Sequence, residues 1–271
     1  MKTLKDHTIF YDAACPMCNL YTRAFVQSGM LDENGRGTYQ CLPAPLEPLI
    51  NKEKAVNEIA LVNKKTGQVH YGIDSMFLVI GHSIPELRPL FRWKPFHWFA
   101  ARVYKFISYN RRQIIPAQHD AVGEAPAFNR KYRGIYLVFT WLVTAFILHR
   151  YSSLLQSLVG GSGFYSEFLI CGGQMVWQGL IIYFINPGKT WDYLGNMMTI
   201  SFAGAVLLIP MLIASSFIML PAHYYAGYFL LVAGCMFLEH TRRMKILSLT
   251  WKLSATWVLY RVIILLIILY V

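Results

Sequence analysis

Beyond residue 133 the chain consists of little but apolar runs. Five of them, roughly 132–148, 165–185, 194–220, 222–238 and 254–271, each approach the ~20 helical residues needed to cross a bilayer. These runs constrain the fold more than any other feature, because a backbone in lipid has to satisfy its own hydrogen bonds and does so as helices. Charge follows the same division. Of the 25 Lys/Arg and 14 Asp/Glu, residues 1–133 hold 18 and 11, and the remainder hold 7 and 3. We therefore expect an α/β domain over 1–125, polar, basic and facing water. An all-α transmembrane helical domain of about five spans is expected over 126–271. Pro210 lies inside the third run, where a bend is expected.

Loop charges set an expected orientation. Arg130, Lys131 and Arg133 precede the first run, Lys189 follows the second, and Arg242, Arg243, Lys245 and Lys252 lie between the fourth and fifth. The opposite loops carry only Arg150. Excess Lys/Arg marks the cytoplasmic side, so the expectation is a multi-pass protein of the cell (inner) membrane with its N-terminal domain in the cytoplasm and its C-terminus outside. No apolar run follows Met1, so no cleavable signal peptide is expected. The net charge of +11 is explained by these flanks, and neither a stacking nor a phosphate motif points to nucleic acid. The bilayer itself is the expected partner.

The polar half reads as alternating elements. "HTIFY" (7–11) is a strand, and 16–28 a helix with Met17, Leu20, Tyr21, Ala24 and Phe25 at helical spacing. Strands follow at 38–42 and 57–62, with a short helix between them. "NKKTGQ" makes a hairpin to 68–71, and helices are expected at 74–82 and 98–112. The order β-α-β-α-β-β-α is that of a thioredoxin-like domain.

In that layout "YDAACPMC" places Cys15 in the turn before the first helix and Cys18 one turn inside it. A helix N-terminus favours the thiolate, which is the attacking species, and Cys18 could then resolve a mixed disulfide at Cys15. The pair could otherwise be structural or hold a metal. Only Cys41, His7 and His70 are conceivable further ligands, none at ligand spacing, so no metal is expected. Asp12 has two readings: a cap accepting from Ala14 or Cys15 N–H, or a buried acid that moves protons. Cys41 is expected as a buried strand residue, and Cys171 and Cys235 as unpaired core residues. Glu167, Gln174, Gln178 and Arg261 are polar positions within the apolar runs. The glutamines are expected to bond neighbouring helices and Arg261 to snorkel toward the interface.

The stretch "YDAACPMC" resembles the Asp-x-x-Cys-x-x-Cys signature of the DCC family of predicted thiol-disulfide oxidoreductases. The likeness continues through "EIALVNKKTGQVHYGIDSMFLVI" and "VYKFISYNRRQ", covering roughly 7–115. It implies an enzyme exchanging disulfides with a protein or small thiol substrate, and the apolar runs, which lie outside the likeness, make the expected enzyme membrane-anchored. Its catalytic residues would be Cys15, Cys18 and Asp12, and it would need no cofactor beyond its own dithiol. Two positions depart from the pattern. Ala13 stands where the family usually has Gly, so a positive φ there would be strained. Residues 55–57 are Ala, Val and Asn where thioredoxins carry a cis-proline, so that substrate clamp does not transfer. The remaining readings are a transporter or assembly protein with a redox-sensing domain, and a lipid- or quinone-linked membrane enzyme.

Overall fold

The computed structural model describes residues 2–116, 127–160 and 163–270. The chain forms two compact units, Met1–Tyr132 and Arg133–Val271. The boundary expected at 125/126 lies outside the described residues.

The first unit contains β1 (His7–Tyr11), α1 (Pro16–Gln27), β2 (Arg36–Thr38), α2 (Lys52–Asn57), β3 (Ala60–Asn63), β4 (Val69–Tyr71), α3 (Gly72–Ser83), α4 (Arg88–Arg92) and α5 (Lys94–Ile114). The sheet order is β2-β1-β3-β4, with β1 parallel to β2 and antiparallel to β3, and β3 antiparallel to β4. This is the thioredoxin-like arrangement. Side chains alternate across the sheet with the period of two that strands impose. Ile9, Tyr11, Ile59 and Leu61 pack with Cys15, Cys18, Phe25 and Val79 on one face. Phe10, Ala60 and Val62 pack with Ile50 and Ala55 on the other.

The second strand departs from the sequence expectation. It is Arg36–Thr38, and Tyr39–Cys41 is a 3-10 turn, so only Thr38 belongs to the strand expected at 38–42. The cause lies in Gly37, where a Cβ would stand 2.6 Å from Phe10 Cε1. Close backbone approach over an aromatic ring fixes the register at that glycine. Cys41 consequently lies beyond the strand and is exposed rather than buried.

The second unit follows from α6, which runs Arg130–Ser152 across the boundary. Its helices are α7 (Gln156–Val159), α8 (Ser166–Ile185), α9 (Thr190–Ser215), α10 (Ala222–Ile246) and α11 (Lys252–Tyr270). Among the described residues four stretches are long and apolar enough to cross a membrane: Arg130–Val159, Ser166–Ile185, Pro187–Ser215 and Lys252–Tyr270. The fifth expected span, 222–238, falls in α10, which is not one of the four. Its apolar segment is interrupted by His223, Tyr224 and Tyr225 at the start and by Glu239, His240, Arg242 and Arg243 at the end. Pro210 lies within α9, which continues as one helix to Ser215.

Helix α9 is central to this unit. Tyr193, Met197 and Met198 pack with Leu137, Ile182, Met244 and Trp257, while Ala205 and Leu208 pack with Ile147, Tyr151 and Val232. Interhelical hydrogen bonds supplement the packing. Tyr193 donates to Gln178 Oε1 at 2.7 Å, Gln174 Nε2 to the Trp257 carbonyl at 3.2 Å, and Arg243 to Asn196 Oδ1 at 2.9 Å. Arg261 lies over the Trp257 ring at 5.9 Å. Cys171 is buried here and Cys235 is exposed, which corrects the reading of Cys235 as a core residue.

Candidate active site

Strand β1 ends at Tyr11 and delivers Asp12 to the top of the sheet, 2% exposed. The next three residues turn the chain into α1. Ala14 N–H donates to Asp12 Oδ1 at 3.0 Å, and Cys15 N–H donates to the Asp12 carbonyl at 3.0 Å. Gln40 clasps the turn from outside, accepting from Ala13 N–H at 3.2 Å and donating to Asp12 Oδ1 at 3.0 Å. Ala13 is not among the residues with positive φ, so alanine fits this turn without strain.

The cap of α1 is the nucleophile candidate itself. Cys15 is the N-cap residue, and its Sγ accepts the Cys18 N–H at 3.2 Å. Asp12 braces the turn before the helix and is not its cap. Pro16 opens the helix, where a missing N–H costs nothing. Both thiols are buried, Cys15 at 1% and Cys18 at 2% exposure.

Their electrostatics differ sharply. The hydrogen bond from the Cys18 side chain lowers the Cys15 thiol to about 7, against the effect of burial. The positive charge of Arg111 lowers it further, and the Asp12 charge opposes this. Cys18 is pushed far above the ordinary thiol range, first by its hydrogen bond to Cys15 and then by burial. One thiol is thus prepared to ionise near neutrality and the other to keep its proton. That is the asymmetry expected of an attacking and a resolving cysteine.

The group that makes a buried Asp12 tolerable comes from far along the chain. Arg111, in the last turn of α5, donates to Asp12 Oδ2 at 3.1 Å and to the Val56 carbonyl at 2.9 Å. The side chains of this pair are 4% and 1% exposed. Arg112 lies 3.5 Å from the same carboxylate oxygen and is more open. Two tyrosines flank the thiols: Tyr21 hydrogen-bonds Cys18, and Tyr104 accepts the Ile59 N–H at 3.2 Å. Burial raises the hydroxyl pKa of both above the ordinary tyrosine value.

The segment that in thioredoxins offers substrate a cis-proline is occupied here. Arg111 holds Val56 O, Ser108 holds Asn57 O, and Tyr104 holds Ile59 N–H. Gly72 N–H takes Ile59 O at 2.9 Å. Helix α5 therefore takes the backbone groups that a clamp would present.

Sequence reasoning placed Cys15, Cys18 and Asp12 together, and the structure brings all three together. It missed Arg111, Gln40, Tyr21 and Tyr104 as site residues. Arg111 and Tyr104 both lie in "VYKFISYNRRQ", and an acid buried beside two thiols demands a cation. Among the described residues no group of three or more His, Cys, Asp or Glu is arranged to hold a metal. A separate cavity of about 390 Å³ in the same unit is lined by His70, Asp74, Phe77, His82, Arg88 and His97, and none of the five cysteines lines it.

Residues 9–116 match the family model described as DCC1-like thiol-disulfide oxidoreductase. The match lies wholly within the first unit and contains every residue of the site. No curated protein and no solved structure matches the chain.

Proposed function

We propose that this chain, which matches the DCC1-like thiol-disulfide oxidoreductase model over residues 9–116, exchanges disulfides through Cys15 and Cys18 from a membrane-anchored position. The observation that carries the reading is the capping geometry: Cys15 Sγ receives the Cys18 N–H at 3.2 Å at the start of α1. The Cys15 thiolate attacks a substrate disulfide, one sulfur bonding to Cys15 while the other leaves as a thiolate. Cys18 then gives its proton to the departed substrate thiolate and attacks Cys15 Sγ, releasing the second substrate sulfur as a thiolate that water protonates. Two electrons pass to the substrate, and a Cys15–Cys18 disulfide remains for an external thiol to reduce. In a reducing cytoplasm such a dithiol works as a reductant. Asp12 braces the turn and orients Arg111, whose charge supports the thiolate.

Alkylation of the reduced full-length chain, read residue by residue by mass spectrometry, tests this. Cys15 labelling should rise as pH climbs through about 7, while Cys18 stays unlabelled over the same range. Mild oxidation should join Cys15 to Cys18 and leave Cys41 alkylatable. Equal labelling of Cys15 and Cys18, with no bond between them after oxidation, would sink the exchanger.

We also propose that the first unit lies on the cytoplasmic side, supported by Arg130, Lys131 and Arg133 before the first span and Lys189 after the second. A reporter fused ahead of Met1 should be active only in the cytoplasm, and one inserted at Gly160 only outside it. The reverse pattern would invert the topology.

A further inference from the structure

Helix α5 has two faces. The inner one holds the site through Tyr104, Ser108 and Arg111. The outer one carries Phe99, Val103 and Ile107 at helical i, i+4 spacing with Trp98 beside them, all exposed, Trp98 at 59% and Phe99 at 60%. Trp93, one residue ahead of the helix, is exposed as well. Arg102 lies over the Trp98 ring at 4.7 Å. Between residues 88 and 112 the chain has seven Lys/Arg and no Asp or Glu. Aromatic side chains exposed in one stripe mark a docking surface. Tryptophan in a cationic rim is the composition of helices that lie at a lipid headgroup boundary.

The end of α5 is fastened to the start of a membrane-capable helix. Residues Arg130–Tyr132, the first of α6, belong to the same compact unit as α5. Asn110 Nδ2 donates to the Tyr132 carbonyl at 3.2 Å, and the Tyr109 and Tyr132 rings stack at 4.8 Å. Ala127 N–H is bound to Asn57 Oδ1 at 2.8 Å, so the chain entering α6 is held to the unit as well. The stripe and the entry to the first candidate span are therefore parts of one body.

We propose that the outer face of α5 docks on the bilayer surface, with Trp98, Phe99 and Val103 inserted at the headgroup boundary and Arg92, Lys94, Arg102 and Lys105 facing anionic lipid. The inner face of the same helix carries Arg111, so docking fixes the dithiol at the membrane surface, within reach of thiols and disulfides presented there. The docking rests on the reading of Arg130–Val159 as a span. The placement of the dithiol rests in addition on the proposed exchange.

A photo-crosslinking residue at position 99 of the full chain tests it, in vesicles of phosphatidylcholine and phosphatidylglycerol in equal parts. Lipid adducts at 99 should exceed those at the control position Glu53, exposed on α2, by about tenfold or more. The double substitution Arg102→Glu with Lys105→Glu should cut the yield several-fold in these vesicles and leave it unchanged in pure phosphatidylcholine. Lipid adducts no more frequent at 99 than at 53 would overturn the proposal. Adducts at 99 to peptides of the same chain or a second copy would do so too, as would charge reversal without effect in anionic vesicles. Alkaline carbonate extraction reads the span separately. Adducts at 99 in a chain that carbonate strips from the membrane would keep the docking helix and sink the span. Their absence in a chain that resists extraction would sink the docking helix alone.

Discussion

Replacing Cys18 by serine is expected to turn the protein from an exchanger into a trap. Cys15 keeps its helix-start position and its neighbour Arg111, so attack on a substrate disulfide proceeds. Resolution does not, because a serine hydroxyl cannot displace the substrate sulfur. Cys18→Ser should therefore accumulate a covalent adduct at Cys15, visible as a mass increase that reductant removes, while multiple turnover falls to background. Cys15→Ser should form no adduct at all. A serine hydroxyl still donates toward Cys15, whereas Cys18→Ala removes the hydrogen bond that does most to lower Cys15, so attack in Cys18→Ala should need higher pH than in the parent chain. A Cys18→Ser protein that turns over at the parent rate would exclude Cys18 as the resolving thiol.

Arg111→Met should strongly destabilise the first unit. It leaves the Asp12 carboxylate, 2% exposed, with the more distant Arg112 as its counter-charge beside the neutral donors Ala14 N–H and Gln40. It also frees the Val56 carbonyl, which holds the strand entry to α5. Breaking a buried ion pair from one side costs about 3–5 kcal/mol, readable as a lower denaturant midpoint of the full chain in detergent. The Cys15 labelling curve should move up from about 7, because Arg111 lowers that thiol. Asp12→Asn should move it the other way, because the Asp12 charge raises it. The pair removed together should cost less than Arg111→Met alone, since no charge is then left buried and unpaired. Curves that move in the same direction in both single variants would show that the pair acts on Cys15 through folding rather than through charge.

Much of the fold was legible because its signals are local. Strand β1, helix α1 and the β3–β4 hairpin follow from alternation, helical spacing and a turn-rich "NKKTGQ" between two short apolar runs. The second strand was displaced because its register depends on Phe10 packing over Gly37, a contact between residues 27 apart that no window on the sequence contains. The span count differed for a compositional reason. Helix α10 is long enough, but His223, Tyr224 and Tyr225 at its start and Glu239, His240, Arg242 and Arg243 at its end leave it less apolar than the four candidate spans.

The sequence by itself determined the two-part organisation and the identity of the reactive pair. Segregated charge and apolar length separate what can sit in lipid from what cannot, and three residues of spacing after a strand place Cys15 at a helix start whatever the rest of the fold does. The helix start already ordered the two thiols, Cys15 to attack and Cys18 to resolve; only the tertiary structure decided what Asp12 is for and which cation answers it. The carboxylate is one residue past β1, its main counter-charge is Arg111 at the end of α5, and 98 residues of chain separate them. Coulomb interaction in a buried site depends on distance in space, and that distance, 3.1 Å, exists only once the sheet has brought strand β1 and helix α5 together.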